Sequence, residues 1–371
     1  MTTVATDSQL DRSIVLLSKL LLPKRHGVSP DSPDRVELQS ELRGLNREAF
    51  EELSSLSQSN HVIVRGMTAI RGLMHEAKDT ERAEWAETAL SGERARIETA
   101  VTFLHNISAA FEKQGHKITV IKSLDHWPDI GSDLDLYTNA KQSDVFKLMS
   151  RQFDARVSSQ SWGDRLAHKW NFIVPGLPEA VEVHVGRLGQ TGEQASLASG
   201  LVNRSKPVVI GSLEFQVPSS SDRVMISTLQ RMYRHFYFRL CDVVDTAALS
   251  DAGGIDFVNL RSLAERAGIW EGVATYLTIV SDYVESYRGS GLNLPSFVTS
   301  SARFRGDAIY YKRGFLRVPI MPQSVRLYGS QLARVFARGE LHNGARLSLL
   351  PWLATAAAVG QKLTGSDKGV W

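Results

Sequence analysis

The first third of the chain spaces its apolar residues with the period of amphipathic α-helices. Apolar side chains recur at this spacing from Ile14 to Leu22, and Pro23 ends the run. A polar stretch with proline and glycine follows, and it is typical of a loop. Three further helical runs are predicted, over 36–56, 62–74 and 84–114. Gly115 is a suitable C-cap for the last of them.

Between about 116 and 218 the apolar pattern changes from the helical period to that of strands. The segment 117–122 is a short β-branched run, and Asp133–Thr138 alternates carboxylates with apolar residues, as a strand with one solvated face does. The other elements predicted here are a helix over 143–153, a hairpin of 170–174 and 181–185, and a strand pair around Gly211.

From residue 219 onward the helical period returns. Ser220 or Ser221 is a suitable N-cap for one long helix to about Leu249. Further helices are predicted over 259–267, 270–287, 323–338 and 347–363. The pattern predicts an α+β fold with three parts. These are a helical N-terminal region over 1–83, a small mixed-sheet core over 84–218 and a helical C-terminal domain over 219–371.

Composition excludes several classes of protein. The chain has 371 residues, 43% of them hydrophobic and 22% charged, which excludes a disordered or fibrous protein. A net charge of +3 is too small to indicate a nucleic-acid-binding protein. Cys241 is the only cysteine, which excludes an internal disulfide and a cysteine-rich zinc site. Acidic residues at the start of the chain do not fit a secretory signal, so we expect a cytoplasmic protein.

An apolar run near the end, over 347–359, contains Pro351 and is shorter than the roughly 20 residues of a membrane-spanning helix. We expect it to pack as a buried helix, and the alternative is a helix that lies on a membrane surface. No membrane span is predicted.

The candidate chemistry begins with two carboxylates on one predicted strand. Alternate strand residues point to the same face about 6.6 Å apart along the backbone, so Asp133 and Asp135 can converge on one hard cation or on two. Two ions about 3.5–4 Å apart clamp the attacking and leaving oxygens in a phosphoryl displacement. Mg²⁺ or Mn²⁺ suits a site of few carboxylates completed by substrate phosphates. Glu182, on the predicted strand 181–185, is the expected third acid.

These motifs resemble the nucleotidyltransferase superfamily of the DNA polymerase β type. The signature there is a Gly-Ser turn, an Asp-x-Asp strand and a third acid on a later strand, and Ser132-Asp133-Leu134-Asp135-Leu136 matches the strand. More narrowly, the chain is similar to the bacterial "uncharacterised nucleotidyltransferase" group, which has Leu-Lys-Gly before the strand and acid-x-His after it. Ile121-Lys122-Ser123 and Glu182-Val183-His184 correspond to these, and the likeness spans about 85–275.

The resemblance implies transfer of a nucleoside monophosphate from a nucleoside triphosphate to a hydroxyl or phosphate of an acceptor, with release of pyrophosphate. Asp133 and Asp135 would hold Mg²⁺ or Mn²⁺, and two ions are expected in all. Glu182 would hold the second ion or act as a general base. A small molecule or sugar is favoured as the acceptor over protein or RNA. The sequence leaves the nucleobase and the oligomeric state open.

The chain departs from the family pattern at the turn. Lys122-Ser123 stands where the family has glycine, which lets backbone amides approach the phosphates. Gly131-Ser132 is a candidate for part of that loop, and Lys122 either adds a positive charge near the phosphates or forms an ordinary salt bridge. The departure motivates an alternative function, a catalytically degenerate binding or accessory protein on the same fold.

For two histidines and one tryptophan, the sequence does not decide between a functional and a structural role. His126 and Trp127 lie in the turn expected to face the nucleotide, where Trp127 either stacks on a base or packs beside Pro128. His184 shares a strand face with Glu182 and either orients a carboxylate or is structural. Neither histidine has a second ligand at zinc spacing, so no zinc site is predicted.

A basic and aromatic segment occupies 231–239. Arg231, Arg234 and His235 share a face at helical spacing, which either reaches a triphosphate or forms a solvated basic face. Asp242 and Asp245 are expected to pair with these arginines.

Overall fold

The computed structural model describes residues 7–24, 32–353 and 355–356. It opens with five helices, α1 (Asp7–Leu21), α2 (Pro33–Arg43), α3 (Arg47–Ser59), α4 (Ile63–Glu76) and α5 (Thr80–Lys113). The Asn46 side chain caps α3 by accepting from the Ala49 amide at 2.9 Å, and Asp79 caps α5 in the same way. Gly115 follows α5 at a φ of +79°, as a C-terminal glycine does. Within 7–24 and 32–113 the chain is helical apart from short connections, as the pattern predicts, except that the predicted run 36–56 is divided into α2 and α3.

The middle of the chain alternates strands with short helices. Its elements are β1 (Ile118–Val120), β2 (Asp133–Thr138), α6 (Gln142–Phe153), β3 (Arg156–Val157), α7 (Trp162–Ala167), β4 (Lys169–Ile173), β5 (Ala180–Val185), α8 (Ala195–Arg204), β6 (Lys206–Ile210) and β7 (Leu213–Val217). The first five strands form one sheet in the order β1-β2-β5-β4-β3, and β6 and β7 form a separate hairpin. The predicted strands and both strand pairs are confirmed, and the fold is α+β.

One pairing in this sheet determines the position of the candidate chemistry. β2 and β5 are parallel, while the other neighbours in the sheet are antiparallel. In that register Asp133 lies opposite Ala180, and Asp135 lies opposite Glu182. The two acidic strands are therefore direct neighbours.

The C-terminal part is mainly helical. It contains α9 (Ser220–Gln230), a π-helical turn (Arg231–His235), β8 (Tyr237–Phe238), α10 (Leu240–Asp251), α11 (Phe257–Ala267), α12 (Trp270–Arg288), α13 (Ser296–Thr299), β9 (Tyr310–Lys312), β10 (Phe315–Arg317), α14 (Val325–Ala337) and α15 (Leu341–Ser348). β8, β10 and β9 form a three-stranded sheet.

The prediction of one continuous helix from Ser220 to Leu249 is wrong. The helix ends at Gln230, and after the π-helical turn Phe236 adopts a left-handed φ of +54°. The reason is tertiary. β8 pairs with β10, and the Phe236 carbonyl accepts from the Val318 amide at 2.8 Å. These strand hydrogen bonds outweigh the helical preference of the segment.

The prediction that the C-terminal helix is buried is also wrong for the residues of that helix that the structure describes. Residues 350–353 and 355–356 are helical, but Leu349 is 43% exposed and Trp352 is 75% exposed. Pro351 has no amide hydrogen to continue the ladder from α15. The remainder of the predicted 347–363 helix lies outside the described residues. No helix within 7–24, 32–353 and 355–356 is both long and apolar enough to cross a membrane.

Two hydrophobic clusters form the core. The first joins the N-terminal helices to the sheet through residues such as Met67, Leu104, Leu134 and Val183. The second packs the C-terminal helices around side chains such as Tyr276. The boundaries proposed at 83/84 and 218/219 stay predictions.

Candidate functional site

The candidate site lies where β2 and β5 present their acidic residues on one face of the sheet. Asp135 and Glu182 are each 8% exposed, whereas Asp133, the first residue of β2, is exposed. The parallel register places Asp135 beside Glu182. Three carboxylates thus meet at one edge of a cavity of about 220 Å³.

Lys122 occupies the centre of this acidic group. Its Nζ forms ion pairs with Asp135 and, at 3.3 Å, with Glu182 Oε1. Its backbone φ is +61°, a left-handed conformation that glycine adopts without strain. Lys122 therefore adopts a backbone conformation that favours glycine, and its side chain places a cation among carboxylates.

Ser123 fastens the turn to β2 rather than pointing freely into the cavity. Its Oγ accepts from the Asp135 amide at 2.7 Å and donates to the Asp133 carbonyl at 3.3 Å. The hydroxyl therefore fixes the position of the Asp-x-Asp strand relative to the turn that carries Lys122.

Glu182 has three basic neighbours. Besides Lys122, Lys169 Nζ lies 2.9 Å from Oε2, and His184 Nε2 lies 2.8 Å from Oε1. Lys169 also pairs with Asp164 at 2.7 Å. Burial alone would raise the pKa of Glu182, but Lys122, the hydrogen bond to His184 and Lys169 together lower it well below its usual value.

Asp133 has the opposite electrostatic surroundings. Although the residue is exposed, its carboxyl is partly desolvated at the cavity, which raises its pKa, and the neighbouring charges of Asp135 and Glu182 raise it further. Among the described residues, its side chain has one hydrogen bond, from Ser132 Oγ at 3.4 Å. Asp133 therefore holds a proton more readily than Glu182 does.

A divalent cation fits the acidic side of the cavity. One ligand atom each from Asp135, Glu182 and His184 lie within 4.8 Å of one another, whereas Asp133, expected from sequence to hold the ion, lines the cavity but is not part of this cluster. Carboxylate oxygens with one imidazole suit Mn²⁺, and the carboxylates suit Mg²⁺. The Lys122 ammonium already stands in for a cation between two of these donors.

The opposite wall of the cavity is basic. It includes Arg231, Arg234, His235 and Arg239. Arg231 is 3% exposed and pairs with Asp242 at 2.7 Å, so it is not part of a solvated face. The wall as a whole carries five lysines and arginines against three carboxylates, which favours an anionic ligand.

The cavity brings together most of the residues predicted from sequence. Nine line it, namely Lys122, Ser123, Gly131, Ser132, Asp133, Asp135, Glu182, Arg231 and His235. Arg234 and His126, which sequence placed nearby, also line it. His184 instead borders two smaller adjacent cavities, and Trp127 is 44% exposed and outside the wall. Gly131 lies against the His61 ring, where an added Cβ would come within 3.1 Å of Cε1.

Five wall residues were missed by sequence reasoning. They are His61, Lys169, Gln230, Tyr237 and Arg239. Lys169 begins β4 one residue before the predicted strand, and its register opposite His184 was the signal that could have found it. Of the two aspartates expected to pair with the arginines of 231–239, Asp242 does so with Arg231, whereas Asp245 pairs with Arg65 and His126.

Glu182→Gln should destabilise the protein by about 2 kcal/mol at pH 7, because it removes a charged hydrogen-bonding group from buried partners. The pKa of Glu182 is lower in the folded chain than its ordinary 4.5. Its contribution to stability is therefore present above that value and is lost as pH falls through the folded pKa. Urea unfolding at several pH values should show the difference between wild type and variant shrinking below about pH 4.5.

The matched control for this measurement is Glu214→Gln on β7, where the side chain is exposed. It should change the free energy of unfolding by less than about 0.5 kcal/mol at every pH. A gap between wild type and Glu182→Gln that does not depend on pH would contradict the electrostatic explanation.

The chain matches no protein-family model and no curated protein. Functional interpretation therefore depends on the two walls of this cavity. Carboxylates on the sheet and cations on the facing π-helical turn suit a ligand that is itself anionic and carries a metal ion with it.

Proposed function

We propose that the chain binds a nucleoside triphosphate in this cavity and transfers its nucleoside monophosphate to an acceptor hydroxyl or phosphate, releasing pyrophosphate. A sugar or other small molecule is the favoured acceptor. The observation that carries the proposal is the parallel pairing of β2 with β5, which sets Asp135 beside Glu182, with Asp133 at the same cavity, beneath an arginine-rich wall. The resemblance of Ser132–Leu136 to the nucleotidyltransferase strand supports the same reading and implies the corresponding core fold.

The basic wall would bind and align the triphosphate. Arg234 and Arg239 present guanidinium groups to the cavity, and these groups match phosphate oxygens in planar, paired hydrogen bonds. Burial lowers the pKa of His235 well below its usual value, so its imidazole is neutral and can donate one hydrogen bond. Arg231 also lines this wall, and its ion pair with Asp242 fixes it there.

Asp135, Glu182 and His184 would hold the divalent ion, and Asp133 lines the same cavity as the two carboxylates. When bound, Mg²⁺ or Mn²⁺ supplies neutralisation of the phosphate charge that builds up during transfer. Lys122 would then exchange its carboxylate partners for a phosphate oxygen, since its ammonium lies within the same cavity.

Asp133 would accept the proton from the acceptor hydroxyl. Its raised pKa makes it a better base than Glu182, whose carboxylate is held ionised by three basic neighbours. Its exposed position at the start of β2 also leaves it open to an acceptor. Positioning of the triphosphate and the acceptor would supply the rest of the rate.

Isothermal titration calorimetry of the four ribonucleoside triphosphates, each with and without Mg²⁺ or Mn²⁺, tests the proposal. Wild type should bind one nucleotide preferentially, and only with a metal ion. Asp135→Asn should lose that metal-dependent binding, whereas Asp154→Asn, an exposed site after α6, should keep it. Absence of binding by folded wild type would reject the assignment.

A second candidate function is nucleotide or ligand binding without transfer. It is favoured by one observation, that Lys122 and Lys169 already neutralise Asp135 and Glu182. If the lysines replace the metal permanently, nucleotide binding should be equally strong in a chelator, and no pyrophosphate should be released. Binding that requires the metal would exclude this candidate.

A further inference from the structure

A second group of metal-ligating side chains lies beside the cavity, separate from the carboxylates. His61 comes from the turn between α3 and α4, His126 from the loop between β1 and β2, and Cys241 from the first turn of α10. One ligand atom from each lies within 4.8 Å of the other two. Cys241 is fully buried, and each histidine is 9% exposed.

We propose that His61, His126 and Cys241 form a binding site for Zn²⁺. Cys241 Sγ lies 3.8 Å from His126 Nε2. With Zn–S near 2.3 Å and Zn–N near 2.05 Å, a tetrahedral ion separates sulfur and nitrogen ligands by about 3.6 Å. The two atoms therefore stand close to the separation that one zinc ion requires. A thiolate with two imidazoles is a donor set that selects zinc over Mg²⁺. The site does not depend on the proposed nucleotide function.

His126 is oriented in the manner of a metal ligand. Its Nδ1 lies 2.5 Å from Asp245 Oδ2, which leaves Nε2 directed at Cys241. Carboxylate–histidine pairs of this kind fix the tautomer and the ring angle of zinc ligands. Asp245 is itself held by Arg65 at 2.6 Å, so the orienting group is also fixed.

The backbone also holds the other two ligands together. Asn60, next to His61, accepts from the Cys241 amide through its carbonyl at 3.2 Å and from the Leu240 amide through its side chain at 2.9 Å. The turn that carries His61 is therefore tied to the turn that carries Cys241.

The fourth coordination position faces the polar cavity, since His61 and His126 line its wall. Three protein ligands with an open fourth position are typical of zinc sites that take a water molecule or a substrate oxygen. The Arg239 guanidinium lies 3.4 Å from His61 Nδ1 and has to turn aside for the ion to bind there. A ligand oxygen in the cavity could thus contact the zinc ion directly.

Titration with Co²⁺, a spectroscopic substitute for Zn²⁺, tests the site in the full-length wild-type chain. The near-ultraviolet charge-transfer band of a cobalt–thiolate bond should appear and should correspond to about one Co²⁺ per chain at this site, whatever further Co²⁺ the carboxylates bind, and Zn²⁺ should abolish the band. Because Cys241 is the only cysteine, that band identifies its ligand without any variant. A folded wild type that gives no thiolate band overturns the proposal.

His61→Ala and His126→Ala should each weaken Co²⁺ binding by about 10-fold or more. Asp135→Asn, at the carboxylate site, should leave the thiolate band and its affinity unchanged. Circular dichroism confirms that each variant is folded, and Cys241→Ser should remove the band. Equal Co²⁺ affinity in folded wild type, His61→Ala and His126→Ala would also overturn the proposal, because the thiol would then bind cobalt without the histidines.

Discussion

Asp135→Asn is expected to lower nucleotidyl transfer by about 10³-fold or more, since it removes a charge that acts on the transferring phosphate. Asn has nearly the same shape and keeps the backbone amide that Ser123 Oγ accepts from, so the strand stays in place. What it loses is the carboxylate beside Glu182 and the charge that a divalent ion requires there. Transfer is measured as movement of label from an α-phosphate-labelled triphosphate onto acceptor molecules supplied as a small-molecule extract, together with release of pyrophosphate.

Asp133→Asn and Asp154→Asn are the comparison variants for this measurement. Asp133→Asn removes the proposed base, so it should lower the rate of transfer by about 10²–10⁴-fold while metal-dependent nucleotide binding persists. Asp154 is exposed after α6 and should have no effect. Full transfer by a folded Asp135→Asn variant would reject the proposed enzymatic function. If the variant loses transfer but keeps metal-dependent nucleotide binding, residues other than Asp135 must hold the ion.

The strands of the site could be predicted because their pattern is local. Asp133–Thr138 alternates carboxylates with apolar residues, and the structure has β2 over the same residues. Glu182 was found in the same way, as an acid between valines. Strand periodicity specifies which face of a strand a residue occupies, and the parallel pairing of β2 with β5 then brings the three acids to one cavity.

The basic wall could not be predicted with the same success because it depends on distant contacts. Helical spacing places Arg231 and His235 on one face, but the chain leaves the α-helix at that point to pair β8 with β10. About eighty residues separate those strands in sequence, and helix propensity contains no information about such a pairing. The turn that results buries Arg231 against Asp242 and directs Arg234 into the cavity.

The His61, His126 and Cys241 cluster shows a second limit of sequence reasoning. Zinc motifs are recognised when ligands recur at short spacings, and none of these three residues has such a neighbour. Each arrives on a different element, and Asn60 and Asp245 fix their relative positions through long-range hydrogen bonds. Only the folded chain places them within one coordination sphere.

Lys122→Met is expected to lower the free energy of unfolding by about 3–5 kcal/mol at pH 7 in a metal-free buffer, because it takes the ammonium partner from the buried Asp135 and one of three basic neighbours from Glu182. The ammonium is the group that Asp135 and Glu182 share. Addition of Mg²⁺ or Mn²⁺ should restore much of the lost free energy of unfolding. A ligand at 100 times its Kd stabilises a folded protein by about 2.7 kcal/mol. Chemical unfolding of the variant, with and without the metal, measures both effects.

The comparison that gives this result its meaning is Lys147→Met, an exposed lysine on α6. It should change stability by less than about 0.5 kcal/mol and should show no response to metal. The response of Lys122→Met should disappear when Asp135→Asn is added, since the carboxylate that would receive the ion is then gone. A Lys122→Met variant that stays equally unstable in Mn²⁺ and in chelator would show that the carboxylates form structural ion pairs only, and the site would then favour binding without transfer. Recovery in Mn²⁺ would instead show that the ammonium and a divalent ion compete for the same two carboxylates, which is the property that a metal-dependent transferase requires of this cavity.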